Sequence, residues 1–106
     1  MKIVIVSACS TGIASTYMAS EALELAGKKR GHQILAETQG TLGIENEVSE
    51  SDAQDADVII LARDIKIQGM ERFQGKEILE IGVAEAIRKA EEVIRQAEEL
   101  VIKKSS

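Results

Sequence analysis

Cys9 is the single cysteine of a 106-residue chain, and it stands where the β-branched run Ile3 to Val6 gives way to the small and hydroxylated residues Ser10, Thr11 and Gly12. A thiol reacts as its thiolate, and a loop of small residues leading into a helix favours an anion: backbone N–H groups converge there and the helix dipole adds partial positive charge. Cys9 is thus a candidate nucleophile. Ser10, Thr11, Gly12, Ile13, Ala14, Ser15 and Thr16 form a candidate anion cradle, with the Thr16 hydroxyl placed to donate to the sulfur. Residue types alone leave the chemistry open between a phosphoryl group, a flavin phosphate and redox work. The plainer reading, a small buried hydrophobe, stands beside them.

The elements that must position this loop are readable from periodicity. Ile3 to Val6 is a buried strand, and helical spacing of apolar residues from Ser15 or Thr16 ends at Lys28-Lys29-Arg30-Gly31, a basic last turn followed by a left-handed cap. Gln33 to Thr38 reads as the second strand, Val58 to Ala62 as the third and Ile78 to Ile81 as the fourth. Ser49 and Asp52 have capping-box spacing for a short helix ending near Ala56, and a helical turn is expected around Met70 to Phe73. One long helix is expected from Gly82, with Val83, Ile87, Ala90, Ile94, Ala97 and Val101 on a stripe that suits packing on a sheet better than a coiled coil.

Strands alternating with helices call for parallel pairing and right-handed crossovers. The predicted fold class is therefore a single-domain, three-layer α/β sandwich, Rossmann-like, with a four-stranded parallel sheet in the order 2-1-3-4. The domain is expected over residues 1–103, with 104–106 a frayed tail. In such sheets ligands bind at the carboxyl ends of the strands, beside strand 1, which is where Cys9 lies.

A chain that is 44% hydrophobic with only two aromatic residues, Tyr17 and Phe73, builds one aliphatic core. A net charge of −5 excludes the clustered cationic surface that nucleic-acid binding requires. No apolar stretch approaches the roughly 18 residues of a membrane span, and the opening MKIVIVSAC is too short for a signal peptide. A lone thiol fits a reducing compartment. A cytoplasmic protein without metal or cofactor is the expectation.

The segments ACSTGIASTYMASEALE, ETQGTLGIENEVSESD and ADVIILARDIKI with the later ERFQGK resemble, in the right order, the fructose-type IIB component of the bacterial phosphoenolpyruvate-dependent sugar phosphotransferase system (PTS). The resemblance runs from about residue 2 to 82 and implies a four-stranded parallel α/β sheet. It implies that Cys9 takes a phosphoryl group from a phosphohistidine of the EIIA component and passes it to a sugar, fructose or fructose-like, bound by the membrane EIIC component. The implied protein is a monomeric carrier, cytoplasmic and only transiently at the membrane through EIIC. Two positions depart from the family pattern C-P-T-G-x-A-H-T: Ser10 replaces Pro and Ser15 replaces His. Low-molecular-weight tyrosine phosphatases have a similar loop, but their Arg position is Ser15 here, and without a guanidinium hydrolysis should be poor. A flavodoxin-like carrier is the further alternative; against it, a chain with one Tyr and no Trp can hardly stack a flavin.

Other residues receive simpler readings. His32 is expected to be exposed at the amino edge of the sheet, opposite the site, and Asp64 to form a turn or touch a partner. Thr38, Gln39 and Gly40 share the carboxyl edge with Cys9, and Arg72 and Phe73 are candidates for docking or, for Phe73, for covering the core.

Overall fold

Uninterrupted apolar runs fold into strands buried on both faces, and two such runs lie side by side at the centre of the sheet: β1 (Lys2–Ala8) and β4 (Val58–Arg63). The computed structural model describes residues 1–9, 13–40 and 43–105. β2 (Gln33–Gly40) pairs with β1 from Lys2↔Gln33 to Ala8↔Gln39, β5 (Ile78–Ile81) pairs with β4, and all four strands are parallel. Their order, β2-β1-β4-β5, is the one that alternation predicts.

The sheet departs from the expected four strands by a fifth. β3 (Gly43–Glu45) runs antiparallel to β2, pairing Gly40 with Gly43 and Thr38 with Glu45, so that the order is β3-β2-β1-β4-β5 and the sheet is mixed. Three exposed residues carry no apolar alternation to announce a strand, although two residues between paired glycines is hairpin spacing.

One face of the sheet is covered by α1 (Ile13–Lys29), α3 (Val83–Arg88) and α4 (Ala90–Ser105), and the other by α2 (Glu50–Asp55) and the 3₁₀ turn Met70–Phe73. Alternate residues of β1 feed the two cores: Ile3 and Ile5 pack with Leu23, Ile94 and Ala97, whereas Val4 and Val6 pack with Leu61, Ala53 and Phe73. α1 ends as predicted. Gly31 has φ 83°, and the N–H groups of His32 and Gly31 donate to the carbonyls of Gly27 and Lys28. Ser49 caps α2, its hydroxyl accepting the Asp52 N–H at 3.1 Å.

Two expectations about the last helix are corrected. It is not one rod: the chain bends at Lys89 (φ −128°, ψ 40°), and no proline or glycine marks the place. The apolar stripe survives the bend, because Val83 and Ala86 of α3 and Val93, Ile94 and Ala97 of α4 reach the same core. Nor is 104–106 a frayed tail throughout, since α4 runs to Ser105, with Lys103 and Lys104 on its negative end and Lys104 Nζ 3.9 Å from the Glu77 carboxylate.

His32 lies at the amino edge as expected, but it is not exposed. Its Nε2 is 2.5 Å from Glu98 of α4, whose carboxylate also accepts two 2.7 Å bonds from Arg30, and the terminal amine of Met1 lies 3.3 Å from Nδ1. The Arg30 guanidinium, outweighing partial burial and helped by His32, holds the Glu98 carboxyl at about 2 against the ordinary 4.5. A depressed carboxylate adds stability above its unfolded value and loses it as pH falls toward the folded one. Glu98→Gln therefore lowers the urea midpoint above pH 4.5, and its difference from wild type shrinks between pH 4.5 and about 2. Unfolding curves across that window check this, and a gap independent of pH contradicts it.

Candidate functional site

β1 delivers Cys9 to the carboxyl edge of the sheet, where β2 and β4 flank it and α1 begins four residues further on. The first turn of α1 carries no acidic residue, so nothing there neutralises the positive end of its dipole. Cys9 is 5% exposed, packed into the core on one side and reaching a cleft of about 470 Å³ on the other. Gln39, Gly40, Ile44, Ile65, Lys66 and Gln68 surround that cleft together with the thiol. The extra strand β3 therefore matters to the site, because Gly43 and Ile44 form part of one wall.

Asp64 follows β4 directly, and three bonds fix it. Its N–H donates to Ala8 O at 3.0 Å, its Oδ1 accepts the Val83 N–H at 3.4 Å, and its Oδ2 lies 3.8 Å from Cys9 Sγ. A turn or a partner contact was the expectation; the structure makes it a neighbour of the thiol. The signal is available in the strand order, since the residues just past the third strand must lie beside those just past the first.

The opposite wall rests on a buried ion pair. Glu37 is fully buried and Arg72 is 7% exposed, with Nη1 and Nη2 of the guanidinium 2.7 and 3.1 Å from the two carboxylate oxygens. All five guanidinium donors are used, the other three on the carbonyls of Gly69, Val48 and Gln68. Glu37 in turn accepts from Val48 N–H and Gln39 Nε2, both at 2.7 Å. Burial pushes the Glu37 carboxyl up, but the bonds from Arg72, Gln39 and Val48 outweigh it and hold the group below the ordinary carboxylate range. Gln39 completes the wall, giving Nε2 to Gln68 O at 3.0 Å and taking the Gln68 N–H at 2.9 Å. Gly69 sits at φ 77°, and a Cβ there would come within 2.8 Å of Arg72 Nε.

This arrangement overturns the docking reading of Arg72 and Phe73. Arg72 is spent internally, and Phe73, 1% exposed, fills the second core with the guanidinium 4.7 Å above its ring. Of the three residues expected at the carboxyl edge beside Cys9, Gln39 and Gly40 line the cleft. Thr38 instead faces the α1 side, beside Tyr17 and Ser20. Ile13 opens α1, Ala14 is exposed, Ser15 is half-buried and Thr16 is buried in the first turn. The predicted cradle residues Ser10, Thr11 and Gly12 lie outside the described residues. His32 is separated from Cys9 by the length of β1, about 20 Å at the rise of a strand. Among the described residues no group of three or more His, Cys, Asp or Glu side chains could hold a metal ion.

The chemical content is a thiol, a carboxylate beside it and a cleft rimmed by Lys66, at the edge where open α/β sheets bind ligands. Comparison with known proteins gives this arrangement a context. Residues 4–96 match the family model described as "PTS system, Lactose/Cellobiose specific IIB subunit". The chain is 44% identical over 97 residues to the PTS system fructose-like EIIB component 2 of Escherichia coli (strain K12), covering 92% of each. It is 43% identical to the PTS system fructose-specific EIIABC component of Bacillus subtilis (strain 168), of which it covers only 15%. The solution structure of the enzyme IIB subunit of the PTS from Escherichia coli K12 superposes with a TM-score of 0.90 at 33% identity, covering 99% of this chain and 97% of that one.

The buried pair has a consequence for stability. Removing one partner strands the other charge, so Arg72→Met or Glu37→Leu costs about 3–5 kcal/mol in urea unfolding, whereas the double variant Glu37→Leu/Arg72→Met recovers a large part of that. A double-mutant cycle measures it, and strictly additive losses would contradict it.

Proposed function

Because this chain belongs to the IIB family of the bacterial sugar phosphotransferase system, where it is a phosphoryl-carrier subunit of fructose-like type, we propose that Cys9 is the residue that carries the phosphoryl group. The thiol accepts it from a phosphohistidine of an EIIA component and transfers it to a sugar of fructose type held by a membrane EIIC component, through a phosphocysteine. The observation that carries this reading is the position of Cys9: the end of the central strand, ahead of the α1 amino terminus, at the mouth of a cleft. The residues Ser10 to Thr16 supply the phosphoryl oxygens with N–H and hydroxyl donors in this reading. EIIA and EIIC are the partners, the carrier acts as a monomer at the cytoplasmic face, and no metal or cofactor takes part. No helix among the described residues is long and apolar enough to cross a membrane.

Carrier chemistry differs from phosphatase chemistry in what it must avoid. The phosphocysteine has to outlast the wait for its acceptor, so an activated water is a defect. Ser15, at the Arg position of the phosphatase loop, leaves the hydrolytic transition state without its guanidinium. Incubation with phosphoenolpyruvate and the upstream phosphotransferase proteins is expected to place one phosphate on Cys9, located by intact-mass and peptide mass spectrometry. Cys9→Ser abolishes it, and p-nitrophenyl phosphate is not turned over. A phosphate on His32, or one retained by Cys9→Ser, overturns the assignment.

A further inference from the structure

Resting on the carrier reading, we propose that Asp64 is a catalytic residue of the loading step, the base that takes the thiol proton when Cys9 attacks the phosphoryl donor. The observations concern how completely Asp64 is committed to that position. Its backbone is tied to Ala8 O, the residue before the nucleophile, and Oδ1 is occupied by the Val83 N–H at the start of α3. Oδ2 is thereby turned to Cys9 Sγ at 3.8 Å, within range of an S–H donor. The charged neighbours are accounted for. Arg63, adjacent in sequence, pairs with Glu80 at 2.9 Å rather than with Asp64, and Lys66 lines the cleft on the loop after β4.

The step balances without a further reactant. The Sγ–H proton passes to Oδ2, and the freed sulfur pair forms the S–P bond. The P–N bond to the donor's ring-protonated phosphohistidine breaks with its electrons on nitrogen, so that the donor departs as neutral imidazole. The same transfer answers an electrostatic difficulty. An ionised Asp64 would sit against a phosphoryl group of like charge, whereas a protonated one is neutral and offers an O–H to a phosphoryl oxygen. The proton acceptor and the absence of repulsion are thus one event.

The test measures single-turnover loading of the full chain from a phosphorylated EIIA component, with the site of labelling read by mass spectrometry. Asp64→Asn keeps an oxygen for the Val83 N–H but cannot take a proton, and it is expected to load Cys9 to the wild-type end point about 10²-fold more slowly, the typical worth of a general base. The concentration of EIIA that gives half-maximal rate should not change. Asp64→Ala is expected to be equally slow and to be accelerated by added formate, a response that a merely structural role would not produce. Asp64→Asn loading within about threefold of wild type, or Asp64→Ala indifferent to formate, overturns the proposal. Wild-type protein that is never labelled on Cys9 overturns instead the carrier reading on which it rests.

Discussion

The pairing of Glu37 with Arg72 is the constraint around which one side of this molecule is arranged. Two charges removed from water are stabilising only when their remaining hydrogen-bonding capacity is met. Here the guanidinium spends five donors and the carboxylate takes four bonds. Those bonds join the end of β2 to the segment at Val48 and the turn from Gln68 to Gly69, two stretches distant in sequence that belong to no strand of the sheet. Gln39, anchored to Glu37, then holds Gln68 against β2. The wall of the cleft facing Cys9 is in this sense an extension of a buried ion pair.

The other side of the cleft is built differently. β1 is hydrogen-bonded along both edges and buried on both faces, so the backbone leading to Cys9 has little freedom. Asp64 is attached to that same strand end through Ala8 O. Cys9 and its carboxylate neighbour are therefore held by the same strand end, while the facing wall, with Gly43 and Ile44 from the edge strand, is attached through β2. Tyr17 of α1 donates its hydroxyl to Glu45 and ties that edge strand back to the helix that follows Cys9.

How far the sequence could be read followed from how local each signal was. Apolar runs, the Lys28 to Gly31 stop, the Ser49 cap and the order of the parallel strands are set by nearest neighbours and by the handedness of crossovers, and they were legible. The position of Cys9 came with them. β3 was not, because three exposed residues stabilised by one hairpin carry no periodicity. Arg72 looked like a surface residue for the same reason that Glu98 drew no notice. Each of these charged side chains finds its partner through contacts 35 residues away in one case and 66 to 68 in the other, and nothing in its immediate neighbourhood records that. Asp64 is the intermediate case, since strand order placed its backbone while its second oxygen's partner required side-chain geometry.

The cluster of Met1, His32 and Glu98 has an architectural meaning apart from its stability. It anchors the start of the chain at the amino edge of the sheet, and Lys104, near the end of α4, reaches Glu77 just ahead of β5 on that same edge. Met1 and Lys104 thus both lie on the side away from Cys9. Such a domain can be threaded into a longer polypeptide at either end, as one bead among several, with every linker leaving from the back and the reactive face open to whatever the neighbouring beads present to it.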